Sequence, residues 1–281
     1  MADIKAADVA QLRKGTGAGM MDCKKALAES DGDFEAAKDW LRKKGLAGAG
    51  KRSGRLAEQG AIDVVVAGGI GAIAELTAET DFVAKSEKFA GTVSELAQLA
   101  VDLVTDDIGE SPFQGITVND FVTQLAATLG ENVALGRVVV FETANGIVDG
   151  YRHVQNERGT IGVLVDLGGV DPTDLKAREV AHDIALHVAS AAPRYLSKDD
   201  VPEDVIAKER AVFEEIGRNE GKPEAAMVKI IEGRLNGFFK DNCLLEQGFV
   251  REPKTTISQL LVGLGSDATV RRFARIKIGE E

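Results

Sequence analysis

The first candidate for chemistry is Gly15-x-Gly17-x-Gly19, five residues ahead of Lys24 and Lys25. Glycine-rich turns before a lysine can cradle phosphates, but the Walker pattern needs Gly-Lys-Ser/Thr where the helix opens, and that is absent. Gly69-x-Gly71-x-x-Ala74 has the spacing of a dinucleotide fingerprint, which must follow a strand and open a helix. Here strand-like runs lie on both sides of it, so it reads as a hairpin turn. The histidines are His153, His182 and His187. His182 and His187 share a helical stretch five residues apart, about 140° around its axis, which argues against a shared metal. His153 falls in a strand. There is no Ser-His-Asp order, no Gly-x-Ser-x-Gly elbow and no Cys-x-x-Cys. Cys23 and Cys243 read as reduced, space-filling thiols. The carboxylates lie mainly at caps and on solvated helical faces. These residues point away from an enzyme, and no cofactor or metal is expected.

Composition narrows the classes further. With 281 residues, two or three units are expected rather than one core, and 44% hydrophobic residues exclude a disordered chain. No stretch approaches the roughly 20 apolar residues of a membrane helix, and the start runs into an amphipathic segment. The chain therefore reads as cytoplasmic, with no membrane partner. A net charge of −11 argues against nucleic acid as a direct partner. Residues 1–55 nonetheless carry 12 Lys and Arg against 8 Asp and Glu, leaving 22 against 37 for the rest. That basic end suits an acidic protein surface at least as well as RNA.

The elements that would position any site follow from periodicity. Residues 1–45 read as three short helices: one opened by Asp3 or Asp8 with Val9 and Leu12 inward, a second over Met21–Ala28, and a third from Phe34 that stops at Gly45. Residues 46–56, rich in Gly, Lys and Arg, read as a linker. Ala61–Ala67 and Ile70–Leu76 flank Gly68-Gly69 as a hairpin. Helices over Ser86–Val104 and Val118–Leu129 and a strand over Arg137–Glu142 complete a unit spanning 57–143. The order then recurs: a hairpin from Ile147–His153 and Thr160–Leu167, a helix over Asp174–Ala191, and a late strand over Arg272–Ile278. The second unit thus comprises 144–196 and 248–281. Between its parts, 197–247 is charged and helical in pattern, with Val205, Val212 and Ile216 on one arm and Met227, Ile230, Ile231 and Leu235 on the other. Asn219–Pro223 turns between them. The class is α+β, with two related subdomains built on antiparallel sheets and an inserted helical hairpin.

Two stretches carry a resemblance: Leu12-Arg-Lys-Gly-Thr-Gly-Ala-Gly-Met-Met-Asp-Cys-Lys-Lys-Ala-Leu27 and Thr80-Asp81-Phe82-Val83-Ala84-Lys85. Both resemble signatures of the bacterial elongation factor Ts family. Ile161–Val165, Gly233-Arg234 and Phe249–Pro253 are similar to that family in the same order, so the resemblance covers nearly the whole chain. It implies a ubiquitin-associated-like module at the N-terminus, a two-part α+β core and a protruding helical hairpin. It also implies guanine-nucleotide exchange on elongation factor Tu, met in its GDP-bound and nucleotide-free states. In the family the N-terminal module grips the partner's GTPase domain and the second core subdomain grips a β-barrel domain. The hairpin is linked to homodimer contacts in some members.

Carried over residue by residue, the resemblance makes Phe82 a wedge and Asp81 a polar contact, within the run Thr80, Asp81, Phe82 and Val83 that displaces the partner's Mg²⁺. Arg13, Met20, Met21 and Lys24 match partner-facing positions, as do Leu129, Gly130 and His153. Judged by residue type alone, Phe82 would be an anchor in its own core. The chain departs from the family pattern in having Thr77-Ala78-Glu79 where many members have Asn-Cys ahead of the run, and Leu129 where isoleucine is common. Some members also continue into a C-terminal helical module, whose contacts are not expected from this sequence.

Overall fold

The computed structural model describes residues 4–16 and 18–280. Asp3, one of the two caps expected for the first helix, and Gly17 of the glycine run lie outside the described residues. Helices α1 (Ala6–Thr16), α2 (Met20–Glu29) and α3 (Phe34–Arg52) enclose a small core of Val9, Leu12, Cys23, Ala26, Leu27, Ala37 and Leu41. Asp8 accepts the backbone N–H of Lys5 at 3.2 Å, bracing the first turn of α1. The expectation that the third helix stops at Gly45 and gives way to a linker is corrected: α3 continues to Arg52.

The first sheet starts with β1 (Gln59–Ala67) and β2 (Ile70–Ala78), whose register sets Ala67 opposite Ile70 across the two expected glycines. Gly68 takes φ +62°, a conformation that favours a residue without Cβ. A single helical turn, α4 (Asp81–Ala84), and then α5 (Glu87–Leu103) follow. A two-residue ladder, β3 (Pro112–Phe113) with β4 (Ile116–Thr117), precedes α6 (Val118–Leu129). Strand β5 (Val133–Glu142) completes an antiparallel sheet ordered β1-β2-β5, starting four residues earlier than expected. Thr80, Ser86 and Thr117 each accept an N–H from the opening turn of the helix they precede, which fixes where α4, α5 and α6 begin. A Cβ at Gly45 would lie 2.8 Å from Ala127 Cβ, so this glycine lets α3 approach α6 instead of ending it.

The second sheet repeats the order. Strands β6 (Gly146–Gln155) and β7 (Arg158–Gly168) lead to α7 (Leu175–Ala191). Their turn is only Asn156-Glu157, at φ +51° and +66°, so both strands run further than the expected Ile147–His153 and Thr160–Leu167. Helices α8 (Glu203–Asn219) and α9 (Glu224–Asn242) form an antiparallel pair. The minor ladder β8 (Gly248–Phe249) with β9 (Glu252–Thr256), then α10 (Ile257–Val262), lead into β10 (Thr269–Lys277). The sheet order is β10-β7-β6, antiparallel throughout. The base of the helical pair is closed by Arg194 and Tyr195 N–H groups on Asn242 O and by Leu244 N–H on Tyr195 O. Within it, the inward stripe of α8 is Ile206, Phe213 and Gly217, not Val212 and Ile216, which are exposed. Gly217 makes room for the buried Met227, whose sulfur would lie 2.6 Å from an added Cβ.

The two sheets face each other. Ile62, Ile73 and Phe141 of the first sheet pack with Val148, Leu164 and Ile276 of the second. The opposite face of the first sheet is covered by α5 and α6, and that of the second by α7 and α10. Gly71 and Gly162 sit where a Cβ would meet side-chain carbons of the other sheet at 2.7 Å, which permits the close approach. A buried Glu75 receives Arg137 through both carboxylate oxygens, and Arg137 also donates to Lys277 O of the second sheet at 3.0 Å. That bidentate bond raises the Arg137 pKa above its ordinary value. Among the described residues no helix is long and apolar enough to cross a membrane.

Candidate functional site

The residues Thr80 to Val83 form the connection between β2 and α5. Phe82 is 82% exposed, the most exposed large apolar side chain among the described residues, while its neighbours Val83 and Ala84 pack against the first core. The turn therefore anchors itself with Val83 and Ala84 and leaves the ring of Phe82 in solvent; the core-anchor role that residue type alone would assign to Phe82 does not hold. Thr80 accepts the N–H of Val83 at 3.3 Å. Asp81 accepts Lys85 Nζ at 2.6 Å, and this bond, opposed by desolvation, lowers its pKa below the usual value. Ser86 closes the turn by donating to Val83 O at 2.8 Å.

Support arrives from distant sequence. Glu131, just past α6, accepts Thr80 N–H at 3.0 Å and Thr80 Oγ at 2.6 Å. In return Glu79 accepts the N–H of Asn132 at 2.6 Å, the chief cause of its lowered pKa. Asn132 Nδ2 donates to Arg55 O at 2.7 Å, and Arg55 also reaches Glu79. Arg52, the last residue of α3, donates to Ala126 O at 3.3 Å. Leu129 is half-buried against the first core, and Gly130 caps α6 at φ +78°, which turns the chain toward Thr80.

Arg13, Met20, Met21 and Lys24 are all exposed, Met20 at 56% and Met21 at 75%. Met21 and Lys24 are three apart on α2, on the side away from the buried Cys23, Ala26 and Leu27. Two exposed methionines beside cations form an adaptable apolar patch. His153 lies on the exposed part of β6, its Nδ1 3.1 Å from Tyr151 Oη. The register shifts just after it, with Thr160 left as the extra residue of β7, a bulge that re-aims the strand end. The other two histidines do different work. His182 pairs with Asp149 at 2.9 Å on the surface. His187 is buried: Val250 N–H donates to Nδ1, so Nε2 carries the proton given to Gln247 Oε1 at 2.9 Å. Burial lowers its pKa. Cys243 is buried too, its thiol pushed up to about 11 by desolvation. Among the described residues no group of three or more His, Cys, Asp or Glu could hold a metal ion.

Comparison with known proteins decides the family. The profile described as "Elongation factor TS" matches residues 79–280, beginning one residue before Thr80. The elongation factor Ts of Maricaulis maris is 45% identical, with all of this chain and 93% of that protein aligned. Those of Micrococcus luteus and Mycobacterium avium are 43% and 45% identical, covering 99% and 100% of this chain and the whole of each relative.

The chain belongs to the elongation factor Ts family.

Within that family's pattern, the departure at Thr77-Ala78 falls on β2. There Ala78 is buried and Thr77 Oγ donates to Ala134 O at 3.3 Å, so the exchange is absorbed by the sheet. The turn and Leu129-Gly130 are brought together by the first subdomain. The α2 patch and His153 lie on elements separate from the turn. Sequence reasoning missed α4, Glu79, Glu131 and Asn132. The Thr80-Asp81 pair ahead of Val83 was a readable cap signal for α4, whereas Glu131 lies 51 residues from Thr80 and left no local trace.

Proposed function

We propose that the chain is a guanine-nucleotide exchange factor for elongation factor Tu in translation elongation, acting by binding and not by covalent chemistry. The observation that carries this reading is the ring of Phe82, held in solvent on a braced turn in a member of the elongation factor Ts family. An exposed aromatic side chain with two torsions is a low-entropy wedge for a partner's groove. The partner's Mg²⁺ demands near-octahedral ligands at short range, so a small shift of the element supporting it weakens GDP strongly. In this reading Phe82 enters beside that element, Asp81 offers a charged acceptor, and Thr80 and Val83 hold the turn.

Arg13, Met20, Met21 and Lys24 grip the GTPase domain of elongation factor Tu, Leu129-Gly130 lie beside the wedge, and His153 meets the β-barrel domain. Linkage makes the effect reciprocal: if the factor weakens GDP, GDP weakens the factor by the same ratio. The emptied site is then filled by GTP. The working compartment is the cytoplasm, and the α8–α9 pair is a candidate for contacts between two copies. The test is release of labelled GDP from elongation factor Tu, mixed with excess unlabelled nucleotide and rising amounts of this chain. The expected result is a release rate that climbs and saturates. A stable complex with an unchanged release rate would show an adaptor instead.

A further inference from the structure

We infer that Glu131 is a positioning residue for exchange, which sets the pose of Phe82 by holding Thr80. This rests on the reading of Phe82 as the wedge. Both oxygens of Glu131 are committed to one residue, the N–H and the hydroxyl of Thr80. A threonine hydroxyl has a single proton. Because that proton is donated to Glu131, the oxygen's lone pairs stay turned toward Val83 N–H, which it accepts. The carboxylate thereby fixes the direction of the cap, and the cap fixes the one turn of helix that carries Asp81 and Phe82.

A four-residue helix has no internal stability of its own, since nucleating a turn is unfavourable. Its order must come from what holds its ends. At the C-terminal end, Ser86 and Lys85 bond within the turn itself. At the N-terminal end the hold is long-range, and it is reciprocal: Glu131 takes the donors of Thr80 while Glu79 takes Asn132 N–H. Two carboxylates thus tie the end of β2 to the start of β5. Gly130 directs this tie: its φ of +78° ends α6 and swings Glu131 toward Thr80. The same pair of residues, Gly130 and Glu131, therefore lies beside the candidate partner surface and on the base of the wedge. Grip on the partner is assigned mainly to other elements, α1, α2 and β6. Loosening Thr80 accordingly lowers the effect of the bound factor more than its binding.

The experiment compares Glu131→Ala and the same-shaped Glu131→Gln with the unmodified chain and Phe82→Ala. Amide hydrogen exchange on the free chain reads the hold directly: Glu131→Ala speeds residues 80–84 by about tenfold, with Glu131→Gln in between because its amide keeps one acceptor. Stopped-flow GDP release then separates effect from binding. The maximal rate falls about tenfold in Glu131→Ala and less in Glu131→Gln, while the half-saturating concentration stays within about twofold.

An unchanged maximal rate in both variants, with Phe82→Ala impaired, overturns the proposal. So does a loss of rate that tracks a lowered melting temperature in both variants, which marks a structural role only. If Phe82→Ala itself releases GDP normally, the wedge reading fails; unchanged hydrogen exchange at 80–84 would show separately that the hold is absent.

Discussion

The two subdomains share a common plan and differ at the joint between hairpin and helix. Each runs hairpin, helix, strand, and each ends its main helix on a non-glycine residue in the left-handed region, Val104 at φ +51° in the first and Ala192 at φ +47° in the second. At the joint between hairpin and helix they part. In the second, Gly169 to Asp174 turns back on itself: Val170 packs on the core, and Asp171 accepts both the N–H and the hydroxyl of Thr173 at 2.7 Å, which lowers its pKa. In the first, the acid that holds the threonine comes from 51 residues away, and the apolar residue that follows, Phe82, is turned outward. A local acid makes a closed connector. A distant acid makes a braced one that can present an aromatic ring.

The comparison breaks first at the seam the two halves share. Ile62→Ala in the first sheet and Leu164→Ala in the second each remove a buried side chain from the inter-sheet cluster. Each should lower the unfolding free energy by about 2–5 kcal/mol, with both halves melting together. Two separate transitions by calorimetry would show that the sheets are not one cooperative unit. At the joints themselves, Val170→Ala should destabilise by about 1 kcal/mol, whereas Phe82→Ala should stay within about 0.5 kcal/mol, because only the former packs on its own core. Urea unfolding of the two variants checks this. At the helix ends, Val104→Gly should stabilise by about 1 kcal/mol by relieving a β-branched residue at positive φ, and Ala192→Gly by less.

The smallest effect separates the halves by pH. His187 belongs to the second subdomain alone, and its folded pKa lies below the ordinary 6.5. The unfolded chain then binds the proton more readily, so its contribution is complete above about 6.5 and is lost as acidification passes through the depressed folded value. His187→Gln should flatten the stability slope between about pH 7 and 5, measured by urea unfolding.

Much of this frame was legible because periodicity and caps are local. The hairpin at Gly68-Gly69 and the spans of α5 and α6 were readable from neighbouring residues. The misses have physical causes. Gly45 was read as a stop because glycine breaks helices, but the glycine serves close packing on α6. The stripe of α8 was placed one residue off, since Phe213 and Val212 are both apolar and only the partner helix chooses between them. Of the candidate site, the motif residues were visible by resemblance, while their braces were not. Hydrogen bonds across 51 and 53 residues leave no pattern in a single sequence.

The most direct test is the maximal rate of labelled GDP release from elongation factor Tu driven by Phe82→Ala. The prediction is a fall of about 30-fold or more, the size expected when a hot-spot aromatic is lost, with the melting temperature unchanged. A Phe82→Ala chain that still drives release at the full rate would contradict the account.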